Sequence, residues 1–502
     1  MKFTSTRKGL VATAPETVFQ GLAPDGGLYL PLLPADQSLS LSPSQLLNLS
    51  TLGEAEAFVC EKLFGDFPEE VRKEAVARLL SRFPAEEPVP LGGKDGLHFL
   101  ELFHGKTGAF KDVALSMLPV FMRHAAGGKR VLILTATSGD TGSAAMQGFA
   151  GVEGTEIIVF YPATGTSRIQ RLQMTTPSEA NVHAVGIRGN FDDAQAAVKR
   201  IFASPEINAA AAKAGITLSS ANSINTGRLI PQIAYYILAA AKLARTDGGN
   251  PPNPLMDGSG APIEFDVVVP SGNFGNILAA FYAKKLGAPI GKLIVASNVN
   301  DVLARFVKTG VYEPGEKFTV TNSPSMDIRI SSNVERLLWM LNFEAAARGE
   351  AQNGDVSQKA VEYACAEVSR MMADLKAKGR YELNDAAKAI LFAEFDGGVA
   401  TPEETEAEMR RMREAAGYLI DPHTAVASFV AKRFQYAAEG AKPIVVAATA
   451  TPYKFPETCR RAFGAEILDD PPPSCRDLEK LPVAQTRICD VDKIDEEVVR
   501  LF

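Results

Sequence analysis

Residues 97–112 read LHFLELFHGKTGAFKD, an apolar strand-like run followed by a glycine-spaced turn that holds two lysines, Lys106 and Lys111. Two chemistries compete for that turn. Gly105-Lys106-Thr107 has the ending of a nucleotide phosphate loop, whereas Phe110-Lys111-Asp112 leads straight into VALSMLPVFM (113–122), which reads as a largely buried segment. A phosphate loop needs a second glycine five positions before Gly105. Position 100 is leucine, so the cradle is missing. A lysine in the first turn of a helix is usually a solvated charge, and taken alone Lys111 would be one. Its apolar neighbours point the other way. Burying an unpaired ammonium is costly and lowers its pKa from about 10.4, which frees the amine as nucleophile and base.

Two glycine loops extend this reading. LTATSGDTGSAA (134–145) and VVPSGNFGNILAA (268–280) each follow a strand-like run, carry Ser-Gly-Asp/Asn-x-Gly and open a helix pattern. Glycine lets backbone N–H groups approach a ligand closely, and the helix N-terminus adds unpaired donors and a positive dipole end. Any strand-to-helix turn can hold Gly and Ser. Two such loops of one design suit one ligand with two anionic ends. Neither matches G-x-G-x-x-G, so a dinucleotide fold has no support. A Schiff base with an aldehyde cofactor resolves the buried amine. Pyridoxal phosphate would then take one anion cradle, and the carboxylate of an amino-acid substrate the other.

Bulk properties exclude other classes. The chain has 502 residues, 46% apolar and 22% charged, enough for two or three domains around sizeable cores. A formal charge of -7 without a concentrated basic block argues against a nucleic-acid partner. The five scattered cysteines form no C-x-x-C pair, and no metal site is expected. The N-terminal MKFTSTRKGLVATAPETVF lacks the apolar core of a signal peptide, and no apolar run is long enough to span a bilayer. The expectation is a cytoplasmic chain with no membrane partner.

Along the chain, DGGLYLP (25–31) reads as a glycine turn into a short strand. PEEVRKEAVARLLSRF (68–83) has helical spacing, with Val71, Ala75, Val76, Leu79 and Leu80 as its apolar stripe. From Leu97 the rhythm becomes short Val/Ile-rich strand, glycine turn, helix, which indicates a buried, mostly parallel sheet. Residues 245–262 read as a Gly/Pro-rich surface connection, and about 355–418 as a helical insertion before the last strand of that rhythm.

At this point a family resemblance enters. ELFHGKTGAFKD resembles the cofactor-lysine segment of threonine synthases, pyridoxal-phosphate enzymes of the tryptophan-synthase β-subunit fold type. The similarity continues through APDGGLYLP, TATSGDTGSAA, SRIQRLQM, GNFDDAQ, SANSINTGRLIPQ, PSGNFGN, PSMDIRISSNVERLL and YLIDPHTAVA, in the family's order. The resemblance implies an α/β architecture of fold type II, with two open, mostly parallel sheet domains, flanking helices and an N-terminal α/β segment. It divides the chain into 1–95, a large cofactor domain of 96–112 with 225–502, and a small domain of 113–224. It implies Lys111 as the Schiff-base lysine, Gly272, Asn273, Phe274 and Gly275 as the cofactor-phosphate loop, and Thr449 beside the pyridine nitrogen. Thr137, Ser138, Gly139, Asp140 and Thr141 would hold the substrate carboxylate. The implied reaction converts O-phospho-L-homoserine and water to L-threonine and phosphate, in a monomer or homodimer. A phospho-lyase giving 2-oxobutanoate is the alternative. The sequence departs from the family at Lys106, commonly proline, at Thr226, commonly tryptophan, and at Thr451, commonly histidine. His104 is expected to orient the cofactor loop or to be structural, and Lys106, Arg168 and Asn190 are candidates for the substrate phosphate.

Overall fold

A computed structural model of the chain describes residues 1–33, 39–245, 264–315, 318–348, 357–437, 442–464 and 470–502. The connection expected after Arg245 and the start of the helical insertion lie outside the described residues.

Two sheets organise the molecule. A six-stranded sheet runs, edge to edge, Phe395–Val399, Ile290–Ser297, Phe265–Pro270, Ile444–Ala448, Leu97–Glu101 and Leu91–Lys94, with only the last strand antiparallel. A five-stranded, wholly parallel sheet runs Arg487–Asp490, Val182–Arg188, Thr155–Pro162, Arg130–Ala136 and Ile216–Ser220. A small antiparallel sheet of Phe3–Ser5, Val11–Ala12 and Tyr29–Pro31 opens the chain, and it contains the short strand expected at 25–31.

The continuous apolar runs arise because both sheet faces are covered. Successive side chains alternate between faces. In the smaller sheet Val131 and Ile133 join the large core shared by both sheets, while Leu132 and Leu134 face a separate core with Ile158, Phe160 and the helix Phe191–Ala203. In the larger sheet Val267 and Val269 enter the shared core. Val268, Ile294 and Val446 pack with Val426 and Val430 of the helix Pro422–Ala437.

Three features differ from the sequence reading. The expected insertion contains Phe395–Val399, which closes one edge of the larger sheet beside Ile290–Ser297. Its Phe-Asp-Gly-Gly-Val composition lacks the β-branched signature of a strand. The final strand, Arg487–Asp490, returns to the smaller sheet rather than staying with the larger body. The helix expected at 68–83 forms over Glu69–Ser81, with Ala75 and Leu79 buried, but Leu80 is 39% exposed and leaves the stripe. Among the described residues no helix is long and apolar enough to cross a membrane.

The helix Lys111–Ala126 is buried almost throughout and ends at Gly127 in the left-handed region. It crosses the helix Asp140–Phe149 at Gly148, where an added Cβ would stand 2.2 Å from the carbonyl oxygen of Leu115. Both partners at that crossing are backbone, so neither yields easily. Gly148→Ala is therefore expected to destabilise the protein by about 1–3 kcal/mol, read as a lower thermal unfolding midpoint.

Candidate active site

Parallel sheets present ligands to the carboxyl ends of their strands. Four such ends converge here. Leu97–Glu101 leads to Lys111, Phe265–Pro270 to the loop Ser271–Phe274, and Ile444–Ala448 to Thr449, all from the larger sheet. Arg130–Ala136 brings the loop Thr137–Gly139 from the smaller one. A single cavity is lined by Lys111, Asp140, Thr141, Gly272, Asn273, Phe274, Gly275 and Thr449, together with Ser223, Arg228, Asn276, Ser325 and His423. Thr137, Ser138 and Gly139 are not part of this lining. The Thr137 hydroxyl oxygen accepts from the N–H groups of Gly139 at 2.9 Å and Gly142 at 3.0 Å, so it shapes the loop from within.

Lys111 is held in place by hydrogen bonds that stitch its segment to the neighbouring strand end. Phe110 donates its N–H to Thr449 O at 2.9 Å, Thr451 donates to Gly108 O at 3.0 Å, and Ala109 bridges Ala450. The Lys111 Nζ stands 3.2 Å from Asp140 Oδ2. Asp140 Oδ1 accepts from Gln170 Nε2 at 2.7 Å and pairs with Lys454 Nζ at 2.9 Å. Lys454 is fully buried and also donates to Thr107 O at 2.9 Å. Burial pushes the Lys111 amine below its usual range. The Asp140 carboxylate opposes that shift, while the charges of Lys454 and Arg228 reinforce it. Burial alone would raise Asp140, but the two lysines and Gln170 outweigh it and hold this carboxyl far below the ordinary range.

The loop at 272–275 has the character of an anion cradle. Gly275 opens the helix Gly275–Lys285, and Phe274 before it sits at φ 61° while only 1% exposed. Such a conformation costs a bulky residue on the order of 1–3 kcal/mol and persists only where its surroundings impose it. Here the ring packs near Phe395. No acceptor among the described residues takes up the N–H groups from Gly272 to Ile277. The buried Asn276 Nδ2 also lacks a partner. The loop's position depends on Ser325, whose carbonyl oxygen would lie 2.5 Å from a Cβ on Gly272. Ser325 in turn donates its N–H to His423 Nε2 at 3.1 Å, and His423 Nδ1 lies 2.7 Å from Asp421 Oδ1. That pair fixes the neutral tautomer, with the proton on Nδ1.

Known proteins agree with this architecture. The pattern of pyridoxal-phosphate-dependent enzymes matches residues 89–372, and that of the threonine synthase C-terminal region matches 424–502. The chain is 36% identical to a threonine synthase of Eremothecium gossypii, over 97% of this chain and 93% of that one. The chain belongs to the threonine synthase family of pyridoxal-phosphate-dependent enzymes. It superposes on a pyridoxal-phosphate-bound threonine synthase from Brucella melitensis with a TM-score of 0.83 at 36% identity, covering 100% of this chain and 99% of that one. The yeast threonine synthase gives 0.84 at 31% identity, with the same coverage. The fold is thus type II. The site's chemistry fits the family's cofactor: a buried amine of lowered pKa, unclaimed N–H donors at a helix N-terminus, and a hydroxyl from Thr449 in one cavity.

Other expected positions fall elsewhere. His104 pairs with Glu101 at 2.7 Å, outside the cavity lining. Lys106 is exposed and lines a separate cleft with Arg82, Tyr453 and Arg476. Arg168 is exposed and pairs with Glu479 at 2.9 Å. Asn190 caps the helix that follows it, accepting from Asp193 N at 3.0 Å. Thr226 shares a hydroxyl contact of 2.7 Å with Thr17, and Thr451 is buried against Gly108. Sequence reasoning missed Arg228, Gln170, His423, Ser325 and Lys454. The first four stand inside blocks already matched to the family, and their mixture of polar types amid apolar runs was the available signal. Lys454 carried none.

Gly272→Ala is expected to displace the loop from Ser325 and weaken pyridoxal phosphate binding about tenfold or more, measured by titrating cofactor into the protein and following absorbance.

Proposed function

We propose that the chain converts O-phospho-L-homoserine and water to L-threonine and phosphate, with Lys111 as the residue that bonds the cofactor and moves the substrate's protons. The carrying observation is the Lys111 amine, buried at 3.2 Å from Asp140 and facing the same cavity as the 272–275 cradle. When bound, pyridoxal phosphate supplies an electron sink that stabilises charge on the substrate carbons. The protein's share is binding, orientation and proton handling.

The cradle at Gly272, Asn273, Phe274 and Gly275 would take the cofactor phosphate on its free N–H groups. Thr449 would offer a neutral hydroxyl to the ring nitrogen, so that the nitrogen stays unprotonated. The Thr137–Thr141 loop suits a carboxylate, because the N–H groups of Ser138, Asp140 and Thr141 have no acceptor among the described residues. The Asp140 side chain itself is an anion turned to two lysines, so its contribution to that loop is its backbone. Once displaced by substrate, the lowered pKa of Lys111 lets the amine accept the α proton, and Asp140 stabilises the ammonium that results.

Arg228 supplies the charge for the substrate phosphate. It is 2% exposed and lines the cavity, and burial draws its pKa down to about 10. Among the described residues no carboxylate pairs with it; its Nη1 donates to Ala221 O at 2.7 Å and its Nε has no acceptor. A buried guanidinium without a counter-charge is costly unless an anionic ligand provides one. Arg228 thus takes the place held in the sequence reading by Lys106, Arg168 and Asn190.

Lys111→Ala is expected to lower turnover about 10³-fold or more with the fold retained. Arg228→Lys should raise KM for O-phosphohomoserine about tenfold, with a smaller change in kcat. The deciding experiment records the absorbance of the purified protein with pyridoxal phosphate and O-phosphohomoserine while quantifying threonine, phosphate and 2-oxobutanoate. Threonine equal to phosphate supports the proposal. 2-Oxobutanoate as the main product would replace it with the phospho-lyase, and no cofactor band would overturn both.

A further inference from the structure

Asp140 lies between two amines, of which the proposed chemistry uses one. Lys111 Nζ meets Oδ2 at 3.2 Å and Lys454 Nζ meets Oδ1 at 2.9 Å. Lys454 is fully buried, reaches Thr107 O at 2.9 Å and does not line the cavity, so it contacts neither cofactor nor substrate there. Burying a second lysine is expensive, and a well-packed apolar side chain would ordinarily be at least as stable. Its presence calls for an electrostatic reason.

We infer that Lys454 is a positioning residue, which occupies Asp140 as a competing counter-ion so that Lys111 is oriented by that carboxylate without being locked to it as an ammonium. The inference rests on the role proposed for Lys111. Without Lys454, Asp140 would have one cationic partner and would hold the proton on Lys111 more tightly. Without Asp140, Lys111 would face Lys454 and Arg228 unscreened and lose its proton more readily. The geometry preserves an intermediate state.

The surrounding hydrogen bonds support a fixed arrangement. Gln170 Nε2 donates to Asp140 Oδ1 at 2.7 Å, and Gln173 Nε2 donates to Thr107 O at 3.0 Å, the same carbonyl that receives Lys454. The Ser167 hydroxyl donates to the Lys454 backbone carbonyl at 2.7 Å. The charged and titratable groups around the pair are Lys111, Arg228, Asp112 and Cys475. Burial raises Asp112, with Lys454 pulling it back, and burial likewise raises the Cys475 thiol against the pull of Lys454. Among the described residues Asp140 is the carboxylate that pairs with both lysines.

The test is a pH titration of the visible cofactor band in full-length holoenzyme, which reports protonation at the nitrogen of Lys111 independently of turnover. Lys454→Met is expected to raise the midpoint by about one pH unit, and Asp140→Asn to lower it by a similar amount. Lys454→Arg keeps the charge and is expected to restore the parent midpoint. Where a variant does not retain cofactor, competitive acetylation of Lys111 across pH, read by mass spectrometry on the folded full chain, gives the midpoint of the free amine, for which shifts in the same directions relative to the cofactor-free parent are expected. Opposite shifts support the inference. An unmoved midpoint in Lys454→Met, or shifts of the same sign in both variants, would overturn it by showing that Lys454 only supports packing. An absent cofactor band in the parent protein would instead indict the reading of Lys111, so the two failures are separable.

Discussion

One buried carboxylate governs how the halves of this molecule meet. Asp140 comes from the smaller sheet, whereas Lys111 and Lys454 follow strands of the larger one. Ionised groups this deep are tolerated only with full pairing. The three therefore act as a tie between sheets as well as a chemical device. Gly139 is needed because Gln170, the fourth member, packs where its Cβ would stand, at 2.5 Å. The small residues of the loop thus follow from the carboxylate's need for partners.

The rest of the site is arranged by what this tie leaves free. With Asp140 committed, the cavity presents backbone N–H groups and Arg228 instead of a second negative charge. The 272–275 loop is held from behind by Ser325, and Ser325 by the His423–Asp421 pair. Strain at Phe274 is sustained by that support and by the aromatic cluster with Phe281 and Phe395. Rigid elements carry each donor, which is how a site keeps its geometry before ligand arrives.

Much of this was legible in the sequence. Short apolar strands alternating with helices gave the parallel sheets, because strands buried on both faces need no polar alternation. The two Ser-Gly loops and Lys111 were singled out by chemistry that depends on local spacing, and the fold brings Lys111, Asp140, Thr141 and residues 272–275 to one cavity. What escaped was long-range. Lys454 follows an ordinary Thr-Pro-Tyr and becomes notable only when the fold carries it to Asp140. Arg228 resembles many helix arginines until burial removes its counter-charge. Asn190 shows the converse: it was a candidate for the substrate phosphate, and its side chain is spent on a helix cap. Phe395–Val399 was hidden by its glycines, which suit it to a crowded edge where Val430 and Ala304 press close.

The last strand has a consequence for biosynthesis. Arg487–Asp490 pairs with Val182–Arg188, and Leu97–Glu101 waits for Ile444–Ala448, its partner across most of the chain. Domains ordinarily fold in order as they leave the ribosome, and pairings between distant segments are slow. Here the larger sheet is incomplete until Ile444–Ala448 has been made, and the smaller one until Arg487–Asp490 has followed. Nascent chains consequently carry open strand edges through much of synthesis, and a truncation before Arg487 removes a strand of the smaller sheet rather than a tail.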